Sequence, residues 1–243
     1  MRFLARALYT IVFISAAAAA GAATVSGIVT SAATGNALNG MVVAAYDPAG
    51  NLVATATTDA TGLYVLTVPA GQYRLLAYDL AGVYATAFDA NAESFETSPL
   101  RSIPAAGAQV SFALVNGGRI AGMVLTVNGP PLADAVVEVY NLSGTRRGFT
   151  TTNANGDYSV VVPPGQYKII AYDPTGTFAA SFYSGARTFA DATPMPVVEF
   201  ALTNVSFVLT SAARVIGKTI DAATGAALAS ILVYAYTPAG AIV

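Results

Sequence analysis

The chain has 243 residues, of which 10% are charged, and its formal net charge at pH 7 is −2. Soluble domains average about 25% charged residues, so the polarity of this chain must come mostly from uncharged side chains. It contains neither cysteine nor histidine, which excludes disulfide bonds, thiol catalysis, imidazole bases and His- or Cys-based zinc sites. The small net charge favours neither a nucleic acid nor an acidic membrane surface as a partner.

The first 22 residues, MRFLARALYTIVFISAAAAAGA, predict a secretory signal peptide. Two arginines precede an apolar run, which ends in small residues and the A-x-A triplet Ala20-Gly21-Ala22, so we expect cleavage after Ala22. The alternative is an uncleaved anchor, but the run is short and alanine-rich for a span of ~20 strongly apolar residues. No later segment of that length lacks polar residues, so we expect no transmembrane segment after signal removal. The mature chain is predicted to be secreted, periplasmic or associated with the cell surface.

The rest of the chain is an internal repeat. Gly27, Gly122 and Gly217 stand in similar contexts at equal intervals, and the phrase VPAGQYRLLAYDLAG at 68–82 returns as VPPGQYKIIAYDPTG at 162–176. A motif that recurs with its domain indicates packing rather than catalysis. We therefore predict repeat 1 at 23–117, repeat 2 at 118–212 and an incomplete repeat 3 at 213–243. Because Val243 takes the place of Val53, we expect the native chain to be longer.

Within a repeat, runs rich in Val, Ile, Thr, Tyr and Phe alternate with turn residues about every ten positions, which is typical of an antiparallel sandwich. No convincing helical periodicity follows the signal segment. The prediction is an all-β chain of tandem seven-stranded antiparallel sandwiches, prealbumin-like or immunoglobulin-like, with the third truncated. In repeat 1 we expect strands near 24–30, 41–46, 52–58, 63–68, 73–79, 84–88 and 109–115.

Comparison of the copies predicts which side chains face the core. Positions that stay apolar in both copies should point inward, and positions that become polar in one copy should point outward, because side chains alternate with period two. Arg74 and Lys168 are predicted to lie on the outer face. The inward set includes Tyr64 and Tyr158, Leu66 and Val160, Val68 and Val162, and Tyr73 and Tyr167.

Four motifs in order carry a family resemblance: an ATGxAL segment, the TTDATGLY or TTNANGDYSV hairpin, the PxGQYxxxAYD strand and the late FYSGARTFADATP stretch. Together they resemble the carboxypeptidase regulatory-like repeats of secreted bacterial proteins. The resemblance implies a prealbumin-like β-sandwich, usually non-catalytic and attached to enzymes, adhesins or receptors. Repeat 1 departs from the late motif, since Asp89 stands where repeat 2 has Tyr183, which puts a ligand role for that segment in doubt.

From these observations we expect no enzyme activity and no cofactor. The leading hypothesis is a secreted or cell-surface repeat protein that acts as a structural spacer or adhesion array. The alternative is a set of carbohydrate-binding accessory modules belonging to a larger enzyme or receptor. Expected partners are glycans or other surface proteins.

Two groups of residues are candidate sites. A sugar could stack and hydrogen-bond at Tyr78 and Asp79 with Phe88, and at Tyr172 and Asp173 with Phe182 and Tyr183. The other interpretation is that the tyrosines pack at the sheet rim, the aspartates accept hydrogen bonds in turns and the phenylalanines anchor the late segment. We expect no metal site. Asn153, Asn155 and Asp157 are the alternative, a partial calcium loop that an Asn-Gly hairpin turn would also explain.

Overall fold

The computed structural model describes residues 21–213 and 217–233. Two β-sandwiches follow one another along the chain, which confirms the predicted all-β tandem fold. The first contains β1 (Ala22–Ser31), β2 (Val42–Tyr46), β3 (Leu52–Thr57), β4 (Leu63–Pro69), β5 (Gly71–Tyr78), β6 (Ala87–Phe88), β7 (Arg101–Ile103), β8 (Ala108–Gln109) and β9 (Phe112–Leu114). The second contains β10 (Gly118–Thr126), β11 (Val136–Asn141), β12 (Arg146–Thr151), β13 (Asp157–Val162), β14 (Gly165–Tyr172), β15 (Ser181–Phe182), β16 (Met195–Val197), β17 (Leu202–Asn204) and β18 (Phe207–Leu209).

The two sandwiches share one topology. In the first, β1 lies between β4 and the pair β8 and β9, and the larger sheet runs β3-β2-β5, with β6 and β7 both pairing β5. In the second, β10 lies between β13 and the pair β17 and β18, and the larger sheet runs β12-β11-β14, with β15 and β16 pairing β14. Each sandwich buries its own cluster of apolar side chains between its two sheets.

The predicted strands are found with shifted ends, and the structure adds two features. The predicted strand at 84–88 shortens to β6, and a strand at Arg101–Ile103 was missed. The last predicted strand is split into β8 and β9, and both pair with β1 in the parallel direction. Parallel pairing could not be predicted from the sequence, because strand direction depends on how the chain returns across the sandwich.

The split in the last strand explains the repeated glycine and a repeated tyrosine. In the first sandwich, Gly27 faces Val110 at the break, and a Cβ on Gly27 would lie 1.8 Å from the Val110 carbonyl oxygen. The Tyr64 hydroxyl donates a hydrogen bond to the same oxygen at 2.5 Å. Gly122, Val205 and Tyr158 reproduce this arrangement in the second sandwich with the same 1.8 Å and 2.5 Å separations. Only glycine lets the carbonyl approach the first strand, and the tyrosine then satisfies that carbonyl inside the core.

The inward faces predicted for the two sandwiches are confirmed. In β4 and β13 the burial alternates strictly over Tyr64, Leu66 and Val68 and over Tyr158, Val160 and Val162. Tyr73 and Tyr167 are also buried, and their hydroxyls donate to the carbonyls of Pro69 and Pro163 across the preceding turn. The duplicated phrase is therefore a turn and strand that supply each core with a tyrosine.

The predicted ends of the chain are only partly described. The predicted signal peptide lies almost wholly outside the described residues, and β1 begins at Ala22 itself. Of the predicted third repeat, the described segment 217–233 contains one isolated antiparallel bridge between Ile220 and Ala227, and its side chains are mostly exposed. In the described part of the chain, the structure has no helix long and apolar enough to cross a membrane.

Candidate functional site

The outer face of each larger sheet carries the predicted aromatic residues beneath the late segment. In repeat 2, Phe189 lies edge-on to Tyr140 and to Phe182, with ring centroids 6.2 Å and 6.0 Å away. The Lys168 ammonium lies 4.5 Å from the Phe189 ring centroid and donates to the Phe189 carbonyl at 2.6 Å. These contacts form a second, smaller apolar cluster and anchor the late segment.

Repeat 1 anchors its late segment in the same way. Phe95 lies edge-on to Tyr46 at 5.1 Å, and the Arg74 guanidinium lies 5.5 Å from the Phe95 ring centroid. Arg74 also donates from Nε to the Ser98 carbonyl at 3.1 Å. The outward position predicted for Arg74 and Lys168 therefore has a structural use, which is to hold the segment that crosses the sheet.

The predicted sugar residues are not brought into one open site. Tyr172 and Phe182 share the outer face, since Phe182 lies opposite Ile170, but Phe182 is only 8% exposed. The next residue, Tyr183, packs against the second core. Tyr78 and Phe88 lie on the corresponding face of repeat 1 and are half-buried. The geometry thus favours the packing interpretation for the phenylalanines and for Tyr183.

Asp79 and Asp173 are turn residues. The Asp79 carboxylate accepts hydrogen bonds from the backbone N–H groups of Ala81, Val83 and Tyr84 at 2.7–3.1 Å. Asp173 accepts from Thr175, Thr177 and Phe178 in the same pattern. Partial burial raises the pKa of the Asp173 carboxyl, but the bonds from Thr175 and the following N–H groups outweigh it and hold that pKa below its usual value. Both carboxylates are occupied by their own loops, so neither is aimed at a ligand.

The partial calcium loop is also a turn. The Asn153 side-chain oxygen accepts hydrogen bonds from the N–H groups of Asn155 and Asp157 at 2.9 Å and 3.0 Å. In the corresponding hairpin of repeat 1, the Asp59 carboxylate accepts hydrogen bonds from the N–H groups of Thr61 and Leu63. No group of three or more acidic, histidine or cysteine side chains that could hold a metal occurs among residues 21–213 and 217–233.

The contact between the two repeats is a cluster of charges that was not predicted from the sequence. Arg146, at the start of β12, pairs with Glu96 of repeat 1 and, through Nη1, with Glu138 of its own sheet at 2.7 Å. Arg147 lies 3.6 Å from Glu93, and Asn141 donates to Glu93 at 3.1 Å. Beside these pairs lies an open groove of about 470 Å³ between the late segment of repeat 1 and the β11–β12 turn.

Burial, hydrogen bonds and nearby charges shift the pKa values of two residues at this contact, Tyr140 and Glu96. Burial and a hydrogen bond to Glu138 raise the pKa of Tyr140 to about 12. Burial raises the pKa of the Glu96 carboxyl, but hydrogen bonds from its own N–H and Ser94 and the nearby Arg146 more than reverse this, so the pKa is lowered. Glu96 and Arg146 therefore stay charged near neutral pH and attract each other.

Comparison of the two aligned repeats could have predicted this contact. Leu52 and Val53 stand in repeat 1 where repeat 2 has Arg146 and Arg147. Similarly, Glu93 and Glu96 of repeat 1 correspond to Arg187 and Ala190 of repeat 2. Opposite charges that occur in one copy each, on neighbouring domains, indicate an interface between those domains.

The connection between the repeats adds backbone hydrogen bonds to the ion pairs. Gly117 donates to the Val83 carbonyl at 2.8 Å, and its own carbonyl accepts from Phe200 at 2.8 Å. Arg119 Nη2 donates to the Ala81 carbonyl at 3.2 Å. A Cβ on Gly117 would lie 2.3 Å from Val161, so the chain passes closely between the domains. The first sandwich is docked on the second at two places.

These features define a class of protein, a tandem array of directly docked β-sandwich domains. The model of the carboxypeptidase regulatory-like domain matches residues 24–96 and 119–203, one match in each sandwich. The chain belongs to this family.

Individual relatives are distant. Halomucin of Haloquadratum walsbyi is 25% identical over 111 residues, which cover 46% of this chain and 1% of halomucin. Among solved structures, the Bacillus anthracis TIE protein is 17% identical with a TM-score of 0.33, and the match covers 79% of this chain and 35% of that one. The minor pilin GBS52 of Streptococcus agalactiae is 12% identical with a TM-score of 0.32, and the match covers 81% of this chain and 99% of the pilin. The chain thus spans only a small part of the curated relative that it matches.

Proposed function

We propose that this chain is a non-catalytic, exported repeat protein whose sandwiches form a rigid spacer in a surface adhesion array. The observation that carries the proposal is the docked contact between the two repeats. A spacer must transmit position along its length, and two domains joined only by a flexible linker would not do so.

The energy of the contact comes from several weak terms acting together. An exposed ion pair contributes about 0–1 kcal/mol, but Arg146 joins two carboxylates and Arg147 and Asn141 engage a third, which makes a network. The backbone bonds at Gly117 hold the other side of the junction. Because the ion pairs are partly exposed, salt should weaken this side of the contact.

Spin labels on the full-length protein test this rigidity directly. The chain has no cysteine, so Thr67→Cys and Ser159→Cys, both at exposed strand positions of different repeats, give one labelled pair. We expect a single narrow distance distribution by double electron–electron resonance. Adding Arg146→Leu and Arg147→Val, the apolar types found at Leu52 and Val53, should broaden it.

The matched control is Arg187→Leu, which removes a charge from the late segment of repeat 2 and should leave the distribution unchanged. High salt should act in the same direction as the double substitution. A broad distribution in the parent protein would refute the rigid spacer, and a narrow one that survives the double substitution would show that the ion pairs do not maintain it.

Export is part of the proposal and rests on the arginine–apolar–A-x-A pattern of residues 1–22. When the full gene product is made in a bacterial host, we expect mature protein outside the cytoplasm with Ala23 as its first residue. Mass spectrometry of the purified N-terminus measures this. An intact Met1 on protein in the cytoplasmic fraction would contradict it.

Carbohydrate binding is the second candidate function. The residues at which the sequence predicted it are occupied by turns or packing, so they give it little support. A different feature favours it, a polar cavity in repeat 1 beside Asp89 and Arg101.

A further inference from the structure

The first sandwich contains a cavity of about 250 Å³ between its two sheets at one open side. It lies between the end of β6 and the split last strand. The polar side chains among its lining residues are Asp89, Asn91, Arg101, Gln109 and Ser111.

A buried ion pair forms one wall of the cavity. Asp89 is only 3% exposed. Its carboxylate accepts from Arg101 Nε at 2.6 Å and Nη2 at 2.8 Å, and from the Ala90 N–H at 2.8 Å. The Arg101 side chain is 38% exposed, and its Nη1 has no hydrogen-bond partner within the described ranges 21–213 and 217–233. The pair is therefore fixed in place and keeps donor capacity toward the cavity.

The second sandwich shows that the fold does not need this pair. The corresponding residues there are Tyr183 and Met195, and both pack against the second core. A buried ion pair is often no more stable than apolar side chains of similar volume, because both charges must lose water. The replacement of an apolar pair by Asp89 and Arg101 is thus better explained by recognition than by stability.

The lining restricts the ligand to one chemical class. The two charges cancel, so the cavity favours neither an anion nor a cation, while the buried carboxylate and the surrounding polar groups disfavour an apolar ring. Asn91, Gln109 and Ser111 add polar groups to the lining, although the Ser111 oxygen already accepts a hydrogen bond from the Ile28 N–H at 3.2 Å. The volume is below the range of about 300–1,000 Å³ for drug-sized ligands, so it fits a single ring.

We propose that this cavity binds one ring of a neutral polyhydroxylated ligand, a sugar residue of a surface glycan. This goes beyond the spacer function, which requires no ligand. It also gives repeat 1 a ligand role that the presence of Asp89 in place of Tyr183 had put in doubt, because Asp89 supplies a wall of the cavity.

Nuclear magnetic resonance titration of the full-length, isotope-labelled protein tests the proposal. The probes are the methyl glycosides of glucose, galactose, mannose and N-acetylglucosamine, each raised well above the Kd of about 1 mM expected for a single-ring ligand. For at least one probe we expect saturable shifts on the amides of 89–91 and 109–113. Sodium acetate serves as the anionic comparison and should give no saturable shift there.

Two variants identify the site. The double substitution Asp89→Tyr with Arg101→Met installs the pair of repeat 2 and should weaken binding at least tenfold without shifting amides of repeat 2. Gln109→Ala, at an exposed position, is the second variant if the double one does not fold, and it should weaken binding by a smaller factor. Tyr172→Ala, from the sequence-predicted sugar site, is the control and should leave the Kd unchanged.

The outcomes separate this proposal from the spacer. If a glycoside gives saturable amide shifts in the parent protein and none in the Asp89→Tyr, Arg101→Met variant, the sugar-binding proposal is supported. This conclusion does not depend on the spin-label distances. No saturable shift with any of the four glycosides, shifts centred on Tyr172, or equal binding by the double variant would each overturn it. Saturation by acetate alone would also overturn it, since the ligand would then be an anion.

Discussion

Substitution of Gly122 by alanine should unfold the second sandwich or destabilise it by about 4 kcal/mol or more. The new Cβ would lie 1.8 Å from the Val205 carbonyl oxygen and 2.5 Å from its carbon, and both are backbone atoms that cannot rotate away. The segment around Val205, between β17 and β18, would have to move away from β10. This movement would also break the hydrogen bond from the Tyr158 hydroxyl to the Val205 carbonyl oxygen. A loss of that size approaches the total of about 5–15 kcal/mol for a whole domain.

Gly217→Ala is the matched control, because Gly217 is the same position of the repeat motif and, among residues 21–213 and 217–233, no atom beyond its chain neighbours lies within 4 Å of its Cβ position. Urea denaturation of both full-length variants, followed by circular dichroism, measures the effect. We expect one of the sandwich transitions to disappear or move far to lower urea in Gly122→Ala, and no change in Gly217→Ala. Equal midpoints for Gly122→Ala and the parent protein would contradict the described approach of the two strands.

Substitution of Tyr158 by alanine should cost about 3–5 kcal/mol, the range for large aromatic residues removed from a core. Its ring is buried against Phe207, with centroids 6.4 Å apart. Tyr158→Phe keeps the ring but leaves the Val205 carbonyl unpaired inside the core, and should cost about 1–3 kcal/mol. Tyr78→Phe, at a half-buried outer position, is the control and should change the unfolding free energy little.

The pH dependence of the same variants provides a second measurement. Burial raises the pKa of Tyr158 well above its ordinary value near 10. The folded state therefore holds this proton after the unfolded state has lost it, so stability is unaffected below pH 10 and falls as the pH rises above it. One such group contributes a slope of about 1.4 kcal/mol per pH unit. Tyr158→Phe should reduce the alkaline slope by this amount, and an unchanged slope would show that Tyr158 titrates normally.

The repeated sequence determined the fold in considerable detail. Strand positions and inward faces followed from comparing the two copies, because a strand with one buried face must alternate with period two wherever it recurs. Tyr73 and Tyr167 were placed in the cores by this argument, and Arg74 and Lys168 on the outer faces. The same comparison could not show the direction of the last strand, since parallel and antiparallel edges bury the same alternating side chains.

The candidate sites depend on contacts that the sequence does not show. Aromatic and acidic residues near Tyr172 and Asp173 were compatible with a sugar site, but the loop N–H groups occupy the carboxylate and the late segment covers Phe182. Whether a polar side chain is free depends on which backbone groups reach it, and these come from residues that a motif does not specify. Asp89 in place of Tyr183 put a ligand role for that segment in doubt, and the pairing of Asp89 with Arg101 could not be anticipated because Arg101 lies in a strand that the sequence did not predict.

The sequence by itself determined the tandem repeat, most of the strand positions, the inward faces of the core strands and the absence of cysteine and histidine chemistry. These properties are local or periodic, so they can be derived from composition and from the spacing of residues along the chain. Only the tertiary structure decided which charges meet: Arg146 with Glu96 across the junction, and Asp89 with Arg101 beside the cavity. The physical reason is that an ion pair depends on distance in space, and folding brings together charges whose separation along the chain is not set by any period of the strand.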